Sequence, residues 1–345
     1  MTAFLIDHPH NEASALLGIQ NPRFLAARGW ESGFWVVSDE EETADALAVL
    51  GRTAAGAWEV VRVQTRTGER STAKKCEDCE SLSRAGSRVY IFGSQYGTKK
   101  GPLEPKRHFV GRFNEALLDF DDAGKPSVEL DLVRRPFALH RIVNDALRGI
   151  ELLPLPDELR ASFIGGVDSK GKSWKSLLHA GDAPINVEGS TFVEGGRLLL
   201  GLRYPVTRDG HPIIVEIEGI DRLFERDAAP PIATAVRILT KVGDARRPAG
   251  IRELDARGGW VHAITGDLDD ELLGASPEKR RARSEHWAFR HVYGSSGVEN
   301  VEATRIRTFP RTAQVEGIAL DRHDVWYVHD DEKIRLEQEE LQLPE

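Results

Sequence analysis

Four stretches of the chain share one rhythm of apolar and polar positions. They are CESLSRAGSRVYIFGS (79–94), VEGSTFVEGGRLLLGL (187–202), RELDARGGWVHAITGD (252–267) and VEGIALDRHDVWYVHD (315–330). Each opens on or beside a Glu, runs through a short strand-like segment, turns at Gly or Asp and ends in an apolar, β-rich run, which is the signature of a hairpin. A fifth and weaker copy, RFLAARGWESGFWVVSD (23–39), lacks the Glu. The Glu residues stand at 80, 188, 253 and 316, with separations of 108, 65 and 63 residues. Two nearly equal steps imply one repeating unit, a little longer than the commonest propeller repeats.

Within one step the strand candidates RLLLGLRY, PIIVEIEG and TAVRILTK follow Glu188, giving four short strands between turn signals. Four such strands make one propeller blade. The 108-residue step is too long for one unit. After KRHFVGRF and PSVELDLV it contains RRPFALHRIVNDALRG, where Leu139, Ile142, Val143, Ala146, Leu147 and Ile150 share one helical face. Pro136 suits the first turn of that helix and Gly149 its end. The pattern therefore predicts an all-β propeller of five blades, in one domain over 1–345, with a helical insertion at about 135–180. That insertion also leaves room for a degenerate sixth blade. Ser38 and Glu41 have capping-box spacing before ADALAVL, which predicts a second helix at about 39–50. The closing EKIRLEQEELQLPE reads as a last outer strand or as a solvated helix. FLIDH near the start supplies a strand that could close the ring.

Composition narrows the partners. The chain carries 46 Lys and Arg against 55 Asp and Glu, a formal net charge of −9. Such a surface repels a phosphate backbone, so general nucleic-acid binding is not expected. Apolar runs are no longer than ones such as Leu198-Leu199-Leu200, far short of the roughly 20 residues that a membrane helix needs. MTAFLIDHPHNEAS shows no basic stretch followed by an apolar region, so the expected location is cytoplasmic. Cys76 and Cys79 form a CxxC, but further zinc ligands and a helix start are both missing from KKCEDCESL, which reads as the approach to a strand.

The stretches FGSQYGTKKG (92–101), INVEG (185–189), GLRYP (201–205), GIREL (250–254) and VEG (315–317) resemble, in that order, a bacterial family known as a propeller-like domain of unknown function. Gln95 departs from that pattern, which has a histidine after the serine. More distantly, the Glu-Gly strand openings are similar to those of lactonase-type and phytase-type propellers. That likeness implies acidic side chains from several blades meeting at one mouth of the central channel and holding a divalent cation such as calcium or magnesium.

The candidate chemistry follows the repeat. Glu80, Glu188, Glu253 and Glu316 would converge near the axis, where carboxylates need a cation, arginines or protons to offset their repulsion. A metal held by Glu80, Glu188 and Glu316 could polarise a phosphoryl or lactone oxygen. The plainer reading is that each Glu bonds backbone N–H groups where blades meet. Arg203 and Arg252 could bind an anionic ligand together with Glu253, or simply pair with carboxylates of the next blade. Ser94, Lys99, Lys100 and Arg107 surround a Gly-rich turn that could hold an anion or could be an ordinary solvated turn. GVDSKGKS (166–173) matches the P-loop pattern without the strand and helix its mechanism requires. Two functions from different classes remain. One is a metal-assisted hydrolase of a small phosphorylated or lactone-like compound. The other is a non-catalytic propeller binding a small anion or a protein partner.

Overall fold

The structure is a computed structural model that describes residues 2–6, 13–39, 41–43, 45–73, 76–120, 124–273, 280–329 and 333–341. Its strands form five antiparallel sheets arranged as the blades of one propeller. The innermost strands are Ala13–Gly18, Cys79–Ala85, Asn186–Val193, Gly250–Arg257 and Val315–Asp321. Each packs beside the next in that order, and the last returns to the first. The five repeats account for five blades, so the sixth is not present. The 108-residue step holds one blade plus the partly helical segment that follows it.

The hairpins read from the sequence are present. In the fourth blade Gly258 and Gly259, with φ of 59° and 79°, make a two-residue turn between Arg257 and Trp260. Positive φ at both central residues is what a tight hairpin needs and what glycine supplies. Glycine has a second use between the third and fourth blades. A Cβ on Gly201 would lie 2.4 Å from Cγ2 of Ile251, so its absence lets the two sheets approach. Buried Leu199, Ile214, Ile251, Val261 and Phe289 fill that seam.

The expected helix at about 39–50 is instead a turn followed by the strand Leu47–Thr53. Leu47, Val49 and Leu50 are buried, and Val49 and Leu50 face opposite sides of their blade. A strand buried on both faces shows no alternation, so a short apolar run mimics a helix. RFLAARG, which reads as strand-like, forms the helix Pro22–Arg28, capped by Asn21 and ended by Gly29 at φ 70°.

Beyond the second blade, helices span Ala138–Ala146 and Asp157–Arg160, and a looser turn spans Ala161–Gly165. Leu139, Val143 and Leu147 bury against the second and third blades. Pro136 lies just outside the helix, because Phe137 at φ 65° is its cap. Downstream, Leu155, Phe163 and Ile164 pack on Tyr96, Tyr204 and Leu268. Tyr96 and Leu268 follow the second strands of blades two and four and Tyr204 ends that of blade three, so this segment sits against one end of the ring.

The ring closes in the fifth blade, where Thr2–Ile6 pairs antiparallel with Ile334–Glu340. Two further strands cross between blades. Gln64–Thr67, leaving the first blade, pairs parallel with the second, and Gly297–Val301, leaving the fourth, pairs parallel with the third. No helix among the described residues is long and apolar enough to cross a membrane.

Leu336 is fully buried on the closing strand, whereas Leu5 on its partner is 69% exposed. Leu336→Ala should lower the unfolding free energy by about 2–5 kcal/mol, and Leu5→Ala by less than about 0.5, in urea titrations.

Candidate functional site

Every innermost strand slips its pairing near its start. The register shifts fall between Ala13 and Ala15, Cys79 and Ser81, Val187 and Gly189, Ile251 and Glu253, and Val315 and Gly317. The residues left out are Ser14, Glu80, Glu188, Arg252 and Glu316. A bulge frees one residue from the ladder and re-aims its side chain. All five line one cavity of about 250 Å³ at the end of the axial channel. Their spacings are 66, 108, 64 and 64 residues. The fourth member of the ring is therefore Arg252, and Glu253 lies one residue past it.

Arg252 decides the electrostatics. Its Nε lies 3.1 Å from Glu188 and donates to Glu316 at 2.8 Å, and its Nη2 donates to Glu316 as well. Arg203, from the end of the neighbouring strand, donates to Glu188 at 2.7 Å and pairs with Asp269 at 3.0 Å. Asp269, Arg203, Glu188, Arg252 and Glu316 thus form a ladder of alternating charge across blades three, four and five. Burial pushes the Glu188 carboxyl up, and the two guanidiniums oppose the rise.

The other half of the cavity lacks this compensation. Glu80 makes no hydrogen bond or ion pair among the described residues. Burial holds its carboxyl well above the usual carboxylate range, and the carboxylates of Asp78, Glu188 and Asp39 add to the rise against the pull of Arg252. Its carboxyl is accordingly biased toward the protonated form, which can donate a proton. Asp39, Lys99 and Gln314 complete the lining.

The remaining sequence candidates lie elsewhere. Glu253 is 1% exposed and accepts from the backbone N–H of Leu254 at 2.9 Å and of Ser190 at 3.3 Å. It also accepts from the Ser81 hydroxyl at 3.3 Å, which matches the plainer reading of a Glu bonding backbone where blades meet. Ser94 donates to Asp78, and Arg107 pairs with Asp78 at 2.9 Å and donates to the Gly97 carbonyl at 3.0 Å. These bonds brace the turn and do not line the cavity. Lys100 is exposed, and its neighbour Lys99 is the lysine that lines the cavity. Gln95 uses its amide to donate to the Gly93 carbonyl at 3.0 Å, so it too holds the loop.

GVDSKGKS has a helical turn before it and a short 3-10 turn after it, so no phosphate cradle forms there. Cys76 and Cys79 are buried free thiols; burial pushes Cys76 up to about 12 and raises Cys79 too, which leaves both unreactive.

The donor set does not suit a divalent cation. Glu188 and Glu316 are engaged by guanidiniums, and Glu80 stands apart from them without a partner among the described residues. Among the described residues no three His, Cys, Asp or Glu side chains stand together in a way that could hold an ion. A cation entering here would meet two fixed positive charges beside the carboxylates.

Sequence reasoning missed Ser14, Asp39, Asp269 and Gln314. Ser14 was within reach, since it stands 66 residues before Glu80, close to the repeat. The others come from loops and strand ends that carry no repeated wording.

The fold and its axial pocket define the chain as a five-bladed β-propeller with a charged channel mouth. Among solved structures it is similar to a mutant GH43 protein from Bacillus licheniformis, at 9% identity and a TM-score of 0.38, over 95% of this chain and 50% of that one. An exo-1,5-α-L-arabinanase from a bovine ruminal metagenomic library matches at 10% identity and TM-score 0.42, over 99% of this chain and 97% of the other. A Bacillus subtilis arabinanase matches at 10% and 0.42, over 96% and 95%. No residue role follows from likenesses of this size. No family model and no curated protein matches the chain.

Two outcomes are expected. Arg252→Met leaves two buried carboxylates without their guanidinium and should cost about 3–5 kcal/mol in urea unfolding. Glu80 binds its proton more tightly folded than unfolded, so its contribution to stability falls as pH rises above the usual carboxylate range. Glu80→Gln cannot ionise, and its melting temperature relative to the unaltered protein should climb as pH rises above the usual carboxylate range. A constant difference would mean that Glu80 is ionised in the folded state.

Proposed function

We propose that the channel mouth is the active site of a metal-independent acid–base hydrolase acting on a small, hydroxyl-rich compound without a phosphate group. The observation that carries this reading is the placement of carboxyls with and without a cationic partner in one small polar cavity. Glu80 has no partner among the described residues and its carboxyl is held up, while Glu316 and Glu188 face Arg252. A carboxylic acid beside a carboxylate is the equipment for cleaving an acetal or an ester. The acid protonates the departing oxygen, and the carboxylate takes a proton from the attacking water. Glu80 would serve as the acid and Glu316, at the open edge of the charge ladder, as the base.

Charge and size restrict the ligand. Five acidic residues line the cavity (Asp39, Glu80, Glu188, Asp269 and Glu316) against Arg203, Arg252 and Lys99. Both guanidiniums are already engaged by carboxylates, so neither is at hand for a phosphate. A volume of about 250 Å³ suits a compound the size of one sugar ring or one lactone. Within the expectation from sequence, the lactone fits this site better than the phosphorylated compound.

The test is a screen of aryl glycosides and small lactones with the full chain. Turnover should appear with one class and fall on the alkaline side as Glu80 loses its proton. Glu80→Gln should reduce kcat by about a hundredfold or more without loss of fold. Chelation with EDTA should change neither turnover nor melting temperature. Binding of a neutral sugar without turnover would instead favour the non-catalytic reading, and activity lost on chelation would restore the metal.

A further inference from the structure

A larger cavity lies away from the channel. It is an open groove of about 840 Å³ on the side of the ring, between the helix Ala138–Ala146 and the start of the strand Ile232–Leu239. Its walls are apolar. Ile142 and Ala146 form one side, Pro231 and Ile232 the other, and Trp174 and Leu177 also line it. The helix is apolar on more surface than the ring covers. Leu139, Val143 and Leu147 are buried against the blades, whereas Ile142 and Ala146 are only partly buried and line the groove. Ile232 is 50% exposed.

The polar groups of the groove are mostly positive, on a chain with a net charge of −9. Arg134, Arg135 and Arg141 line it against one carboxylate, Asp145. Asp145 is already paired with Arg141 at 3.0 Å and with Arg148 at 2.6 Å. Arg141 is held by Asp182 as well, at 2.9 Å. Arg134 and Arg135 make no ion pair among the described residues; the one guanidinium bond between them is from Arg135 to the Glu225 carbonyl. The Trp174 indole N–H is buried without a partner. Arg134 shares the strand face of Leu130 and Leu132 and acts on Cys76 on the other side of the blade, so the groove offers an apolar trough with one unpaired guanidinium, that of Arg135, beside it.

We propose that this groove is a binding site for a linear aliphatic carboxylate, separate from the channel mouth. The chain of the ligand lies along Ile142, Trp174 and Ile232, and its carboxylate meets the forked donors of Arg135. Apolar burial supplies most of the affinity, and the guanidinium selects the anionic head. An amine of the same length would meet repulsion, and an alcohol would gain only the apolar part.

Calorimetric titration of the full chain with sodium decanoate, below its micellar range, tests this, with decylamine and decanol as matched probes. Decanoate should bind saturably at one site, and decylamine should not bind. Arg135→Glu should weaken decanoate about tenfold or more. Ile142→Trp, which fills the trough and keeps Arg135, should abolish binding. Glu80→Gln should leave it unchanged. Equal binding of decanoate and decylamine would overturn the proposal, as would the absence of saturable decanoate binding. Sedimentation showing the face covered by a second copy of the chain would overturn it too.

Discussion

A guanidinium can sit at the axis of this ring only because carboxylates from the blades on either side meet it. Arg252 touches Glu188 of the preceding blade and Glu316 of the following one, so its charge is satisfied by residues that stand 64 positions before and after it. Removing a long cationic side chain from water costs several kcal/mol, and only fixed partners at close range recover that cost. The ladder through Arg203 and Asp269 extends the same requirement across three blades. Because the arginines are spent on one side, burial and neighbouring carboxylates hold the Glu80 carboxyl on the other side well above the usual carboxylate range. The polarity of the cavity, and the chemistry proposed for it, both follow from where that one positive charge is held.

Much of this was legible in the sequence, for a physical reason. A propeller repeats one solution to one packing problem, so apolar alternation and turn glycines recur at nearly constant spacing and give away the blades. The same periodicity placed Glu80, Glu188 and Glu316 near one mouth, and the strand end in GLRYP made Arg203 a candidate for it; all four line the cavity. The error at Glu253 came from aligning residue types instead of backbone roles. The position that points into the cavity is set by a bulge, and a bulge accepts Ser, Glu or Arg alike. Ser14 escaped notice for the same reason, since its strand keeps the bulge without the acid.

The misread helix at 39–50 has a different origin. Strand Leu47–Thr53 is covered on both faces by neighbouring blades, and double burial erases the two-residue period that would identify it. Helix Ala138–Ala146 was legible because one side of it is wet. The P-loop match illustrates the opposite failure. Its letters are present, but the strand and helix that turn such letters into a phosphate cradle are not. Motif wording carries function only when the surrounding backbone supplies the geometry.

The two parallel strands that cross between blades make the seams of the ring unequal. Gln64–Thr67 stitches the first blade to the second and Gly297–Val301 the fourth to the third, by main-chain bonds. Innermost strands meet through side chains at every seam, but among the described residues only at those two does a strand leaving one blade join the ladder of its neighbour. Under mechanical load a ring so fastened parts where the stitching is missing. The seam between the fourth and fifth blades, across which Arg252 grips Glu316, has no such stitch. That places one rung of the ladder of charges across a joint without a stitch, where it acts as a latch as well as the floor of the cavity.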